Sequence, residues 1–311
     1  MSLRQSESKG TAPHPTAQRS APHQSASPFR RTRGPAPAVG SEPDVIELSL
    51  PQLAAHVAQL NATEPGPSAL AEHVLTTGNG HALADRATRP RALALDCARH
   101  VLLRGDPDAL DPADLAPLAH RYIDAPAPFL PVLGAAFDHV VPRERLVYVR
   151  QQATTPPRPP RTVTIRPLTS SDAPALVVLP ADSAWIHASW GGPSGLGRSG
   201  HAWGAFGQGR LLALACTYFR GAAYEDIAVL ARPGRRHQRL ALHCVLALSR
   251  DIATRGRGVS WTCSRHDRPS RLLAWTAGFR LVHEYVHYAS GAAVAGGDRL
   301  PDGCRGPARA G

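Results

Sequence analysis

The chain has 311 residues, enough for two modest domains that each bury a core. Its formal charge of +11 rests on arginine, Lys9 being its one lysine, and with 5% aromatic residues it lacks the interleaved aromatic and basic surface of a single-strand nucleic-acid binder. Five cysteines without paired spacing argue against a secreted disulfide framework, and no apolar run reaches membrane-spanning length and no signal segment opens the chain, so the cytoplasm is the expected compartment.

Residues 1–43 are rich in Ser, Pro, His, Gln and Arg with hardly an apolar side chain, the composition of a disordered basic tail. From Asp44 the chain becomes apolar. Residues 45–50 read as a strand or a helix lead-in, 52–60 as a short helix, and 91–104 as two strands or one bent strand. Residues 111–122, capped by Asp111, and 129–137 read as helices, and 145–150 as a strand closing an α/β domain over 44–150. Pro156, Pro157, Pro159 and Pro160 make 151–161 a stiff linker that neither helix nor central strand tolerates.

A second set of elements follows. Residues 162–172 hold a strand and then a helix cap at Ser171 or Asp172, while 201–206 and 210–219 read as a hairpin about Gly207-Gln208-Gly209. A strand over 224–231, a helix over 239–255, a strand over 258–264, a helix over 270–277 stopped by Gly278 and a strand over 281–288 complete the set, leaving 291–311 as a flexible tail.

The stretch from Tyr224 to Ala241 carries the chemistry. A strand that runs through an arginine-rich turn into a helix points free backbone N–H groups and a helix dipole at one spot, an arrangement that holds a diphosphate. Arg235, Arg236 and Arg239 add positive charge there. Arg236-His237-Gln238-Arg239-Leu240-Ala241 resembles the Arg/Gln-x-x-Gly-x-Gly/Ala loop of the GCN5-related N-acetyltransferase (GNAT) superfamily, with Pro233 also in the pattern and Arg239 in place of the first glycine. The order of elements over 162–290, ending in Gly278-Phe279, is similar to that family's.

The resemblance implies an α/β (α+β) fold over 162–290, a mixed, mostly antiparallel sheet flanked by helices. It leaves 44–150 as either a degenerate GNAT-like half or an unrelated small α/β domain. It implies acetyl-CoA as co-substrate and direct transfer to an amine of a small molecule or protein, with a catalytically inactive module that binds a CoA ester or protein partner as the alternative. The cofactor-binding positions it implies are Val229 and Ala231 through their backbone, the loop Arg235, Arg236, His237, Gln238, Arg239, Leu240 and Ala241, and Asp267 with Ser270 before the last helix. No metal, membrane or nucleic acid is implied, and a homodimer stays open; Cys263 with His266 and His283 with His287 have no further ligands to finish a metal site.

Adjacent strand residues face opposite ways, so one of Glu225 and Asp226 looks into the cleft. Glu225 falls where family members carry a glutamate base and is the catalytic candidate; a pair of rim carboxylates facing Arg235 or Arg236 is the other reading. The family's tyrosine acid corresponds to Ala274, so either water protonates the departing thiolate or a nearby hydroxyl such as Tyr285 or Tyr288 takes that place. Trp185 and Trp190, in a glycine-rich loop, are the substrate-binding candidates, with loop anchoring as the other reading.

Overall fold

The computed structural model describes residues 44–60, 63–155, 158–232 and 235–291. The two tails, expected over 1–43 and 291–311, lie outside these residues apart from Gly291, as does Pro233.

The first part runs β1 (Ile46–Glu47), α1 (Leu50–Ala54), α2 (Ala69–Thr77), β2 (His81–Ala84), β3 (Ala92–Cys97), β4 (His100–Gly105), β5 (Tyr122–Asp124), α3 (Leu130–Ala136) and β6 (Val140–Arg150). The stretch 91–104 is thus two strands, turned through Ala98 and Arg99, which both hold positive φ. Residues 111–122 do not make an α-helix. Pro117 removes an amide donor, and Pro112–Leu118 form a 3-10 turn that leads into β5.

The second part runs β7 (Val163–Pro167), α4 (Ala173–Val177), α5 (Pro193–Arg198), β8 (Ala202–Gly207), β9 (Arg210–Arg220), β10 (Tyr224–Ala231), α6 (Arg235–Thr254), β11 (Gly258–Ser264), α7 (Arg268–Thr276) and β12 (Phe279–Ser290). A two-residue loop joins β8 to β9, with Gln208 at φ 50 and Gly209 at φ 70, the left-handed pair that matches strand twist. Helix α6 buries Leu240, Ala241, Cys244, Val245, Leu248 and Ile252 against the sheet, a helical stripe packing on Ile227, Val229 and Val259.

Among the described residues the strands form one sheet in the order β1-β2-β3-β4-β5-β12-β6-β11-β10-β9-β8-β7. It is mostly antiparallel; β4 with β5 and β10 with β11 are the parallel neighbours. The two parts interlock. Strand β6, from the first part, pairs with β11 on one side and β12 on the other, and β12 also pairs with β5. Buried His73 of α2 adds a cross-tie: its Nε2–H donates to the Ser189 carbonyl at 2.8 Å, and its Nδ1 accepts the Arg220 amide at 3.2 Å. Burial lowers its pKa to about 4, which keeps that tautomer neutral.

Candidate active site

Strands β10 and β11 pair only from Tyr224↔Gly258 to Ile227↔Trp261. Beyond that point β10 stays with β9 and β11 with β6, so the two strands part and leave a wedge open towards their C-terminal ends. Residues 228–231 and 262–264 turn ladder groups into the wedge, and α6 begins four residues beyond the end of β10. A cavity of about 80 Å³ lies at this wedge. One water needs roughly 10–15 Å³ of such space, so a small organic molecule fits.

Both parts of the chain build the cavity. Ala228, Val229, Thr262 and Cys263 come from the wedge; His100, Tyr122, Asp124 and Arg145 come from the first part; Tyr285 and His287 from β12; Trp185, Tyr218 and Phe219 close it. No motif announced the first-part residues. The available signals were Arg145 at the edge of an apolar run and the alternation of His283, Tyr285 and His287 along a strand.

Of the carboxylate pair, it is Asp226 and not Glu225 that the structure places on the cavity wall. Glu225 is fully buried on the α6 face: Thr217 Oγ1 donates to it, Arg255 donates from Nε and Nη2, both at 2.9 Å, and Arg257 Nη1 donates at 3.2 Å. Burial alone would raise its pKa, but these partners and His201 outweigh it and hold the carboxyl well below the usual range. A carboxylate so held is a poor base. Asp226 instead lines the cavity, 6% exposed, with Ser260 Oγ donating to its Oδ1 at 2.9 Å and Thr262 Oγ1 at 3.1 Å. Burial, partly countered by these hydroxyls and the Arg145 charge, lifts its pKa to about 6.

Arg145, 9% exposed, reaches the Tyr285 hydroxyl from β6. Burial and then the Arg145 and Arg99 charges drive His100 down to about 3, and burial with Arg145, His100 and Arg143 keeps His287 well below the ordinary histidine value. Both rings are therefore neutral imidazoles at pH 7. Tyr285 is half-buried, and burial raises its pKa above that of a free phenol, so it keeps its proton; Tyr288 instead packs against the cluster around α3.

The remaining candidates divide. Val229, Asp267, Ser270 and Trp185 line the cavity, Asp267 capping α7 by accepting the Ser270 amide at 3.0 Å. Trp190 does not: its Nε1–H donates to the Thr217 carbonyl at 2.7 Å and its ring stacks on His201 at 5.1 Å, so it anchors the 3-10 segment Ala181–Trp190 that replaces the expected open loop. Ala231 closes β10 opposite Ala213, outside the cavity wall. Arg235, Arg236, His237 and Gln238 form the first turn of α6, their side chains outside the described residues; Arg239 is exposed, and Leu240 and Ala241 are buried in the core. Among the described residues no three His, Cys, Asp or Glu side chains gather as a metal site, and no helix is long and apolar enough to cross a membrane.

Comparison with known proteins agrees with this architecture. Residues 160–288 match the family described as GNAT acetyltransferase. An uncharacterised N-acetyltransferase of Streptomyces virginiae is 59% identical over 195 residues, covering 62% of this chain and 82% of the relative. Among solved structures, a GCN5-related N-acetyltransferase-like protein of Streptococcus suis superposes with a TM-score of 0.58 at 17% identity, over 77% of this chain and 98% of that one. A GNAT-family acetyltransferase of Colwellia psychrerythraea gives 0.51 at 14% identity, over 79% and 99%.

Proposed function

Because the chain belongs to the GNAT acetyltransferase family and is an N-acetyltransferase within it, we propose that it moves the acetyl group of acetyl-CoA onto an amine seated in the cavity beside the β10–β11 wedge. The observation that carries this reading is Asp226: a buried carboxyl that lines the cavity at the closed end of the wedge, beside the last paired rung of β10 and β11, with burial lifting its pKa to about 6.

The wedge suits the cofactor's arm. Residues 228–231 have no β11 partner on that side, so their backbone groups are available to an extended chain, and the first turn of α6 offers free amides and a helix dipole to phosphates. Acetyl-CoA supplies an acyl carbonyl open to attack and a thiolate that leaves. Asp226 takes the proton from the acceptor ammonium or amine, and the Ser260 and Thr262 hydroxyls hold its carboxylate in place. Backbone amides of the wedge, fixed in direction, face the negative charge that develops on the carbonyl oxygen. Tyr285, which keeps its proton, supplies one to the thiolate. The first part of the chain forms the acceptor's wall through His100, Tyr122 and Arg145.

The test compares Asp226→Asn with the wild type by thiol release on a panel of amines, with CoA affinity by calorimetry. Turnover should fall by roughly a hundredfold or more while CoA binding stays. Arg236→Glu should do the reverse, weakening CoA by placing negative charge at the start of α6. Full turnover by Asp226→Asn would remove the carboxylate from the mechanism.

A further inference from the structure

We propose that the acceptor is an aromatic amine, bound uncharged with its ring against the aromatic side chains of the cavity and its nitrogen at Asp226. This class rests on the cavity being the acceptor site.

Three observations carry it. The first is the wall. Six of the rings that line the cavity form an unbroken file: Tyr285 meets His287 edge-on at 6.2 Å, His287 stacks on Tyr122 at 5.2 Å, Tyr122 meets His100 at 5.6 Å, His100 meets Tyr218 edge-on at 5.9 Å, and Tyr218 meets Trp185 at 5.9 Å. These centroid separations are those of paired aromatic rings. A ligand ring extends the file and gains contacts that a saturated ring of equal size does not.

The second is the state of the charges. Asp124, Asp226 and Asp267 are the acidic groups of the wall, and each is already answered. Asp124 Oδ2 accepts from Arg104 Nη2 at 2.9 Å, Asp267 caps α7, and Asp226 accepts from the Ser260 and Thr262 hydroxyls and lies in the field of Arg145. The same guanidinium acts on Tyr285, His100 and His287, and both imidazoles are neutral. An ammonium would enter a buried space whose negative groups have partners and whose cation repels it. An alkylamine is an ammonium at pH 7, as lysine is. An amine bonded to an aromatic ring shares its lone pair with that ring and is neutral, so it enters with no proton to shed. A carboxylate that protonates at about 6 is a weak base for an alkylammonium, whose ordinary value in lysine is about 10.4, but it suits a nitrogen that turns acidic as it bonds. The nitrogen adds to the acyl carbon, and its N–H proton passes to Asp226 as the C–N bond forms. The C–S bond breaks, the thiolate takes the Tyr285 proton, and the proton on Asp226 replaces it through solvent.

The third is His287. It is 2% exposed, and its Nε2 is buried without a hydrogen-bond partner. The Tyr122 stack and the Tyr285 edge hold the ring in place. A hydroxyl on the ligand ring both gives and accepts a hydrogen bond, so it serves this nitrogen in either tautomer and adds no charge. A hydroxylated ring should therefore be preferred over a bare one.

The experiment saturates the full chain with CoA and measures binding of aniline, the aminophenols, benzylamine and cyclohexylamine at pH 7.5, with thiol release from acetyl-CoA on the same set. Aniline should bind at least about tenfold tighter than benzylamine or cyclohexylamine, since a buried charge left unanswered costs at least that factor. The best aminophenol should bind tighter than aniline, and His287→Phe, which keeps the stack and removes the nitrogen, should erase that difference. Trp185→Leu should narrow the gap between aniline and cyclohexylamine, and the wild-type comparison stands alone if either variant does not fold. Alkylamines that bind as tightly as aniline, or no arylamine that binds, would overturn the proposal. Arylamines that bind and are never acetylated would sink the transfer reading alone, and alkylamines acetylated with a higher kcat/KM than arylamines would sink this proposal alone.

Discussion

The Ser260 hydroxyl donates to Asp226 Oδ1 at 2.9 Å and accepts the Gly66 amide N–H at 3.2 Å, tying the cavity carboxylate to the first part of the chain. A hydrogen bond to the charged form works against burial, which raises the Asp226 pKa. Ser260→Ala should therefore lift that pKa further. The acid limb of kcat/KM against pH, expected near pH 6, should move up by roughly half to one unit. A limb that does not move would belong to another group.

Glu225→Gln should damage stability rather than chemistry. The change leaves Arg255 and Arg257, whose side chains keep 23% and 19% of their surface exposed, beside a buried neutral amide. Fully buried pairs cost about 3–5 kcal/mol when broken, and this exposure reduces the loss to about 2 kcal/mol. The folded pKa is depressed, so the wild-type stabilisation is present in full above the ordinary glutamate range, begins to fall there, and is lost only as pH drops on through the depressed folded value. Denaturation at pH 7 and pH 4 should show a gap between variant and wild type that is widest at pH 7 and has only begun to narrow at pH 4.

Asp226→Asn should have the opposite signature. The folded carboxyl binds its proton at about 6 and the unfolded one at 3.8, so the native state holds more protons between those values and stability from this group declines as pH rises from 4 to 6. The Ser260 and Thr262 hydroxyls can serve the amide oxygen. The variant should melt higher than wild type at pH 7.5, by on the order of 2 kcal/mol, and equal it near pH 4. Equal melting at both pH values would show that Asp226 ionises without penalty.

Gly278 holds φ +89 between α7 and β12, its carbonyl accepts the amides of Gln151 and Gln152, and an added Cβ would lie 2.3 Å from the Gln152 oxygen. Gly278→Ala should cost about 2–3 kcal/mol from left-handed strain and backbone displacement together, read as a lower melting temperature. A loss below about 1 kcal/mol would mean the turn relaxes freely.

Elements set by local signals were legible in the sequence: the Gln208-Gly209 hairpin, the stripe of α6, and the Gly278 stop. Helix α2 was missed although Gly78, at φ 69, ends it, because its nine residues sit between proline- and glycine-rich stretches. Alternation along β10 said that Glu225 and Asp226 diverge, but which one meets the cavity depends on what packs on each face. Arg255 and Arg257, thirty residues later in the chain, claim Glu225. The β6–β12 side of the cavity was illegible for a related reason: Arg145 meets Tyr285 only because β6 inserts between β11 and β12, a pairing across well over a hundred residues.

That insertion also sets a timetable for biosynthesis. Strand β6 is complete at Arg150, yet both its neighbours lie at Gly258 and beyond, and β5 waits for β12, which starts at Phe279. At ~5–20 residues per second the ribosome needs roughly 6–25 s to deliver the intervening segment. Throughout that interval the nascent first part carries bare strand edges, the kind of surface that recruits chaperones or pairs with the neighbouring chain on a polysome.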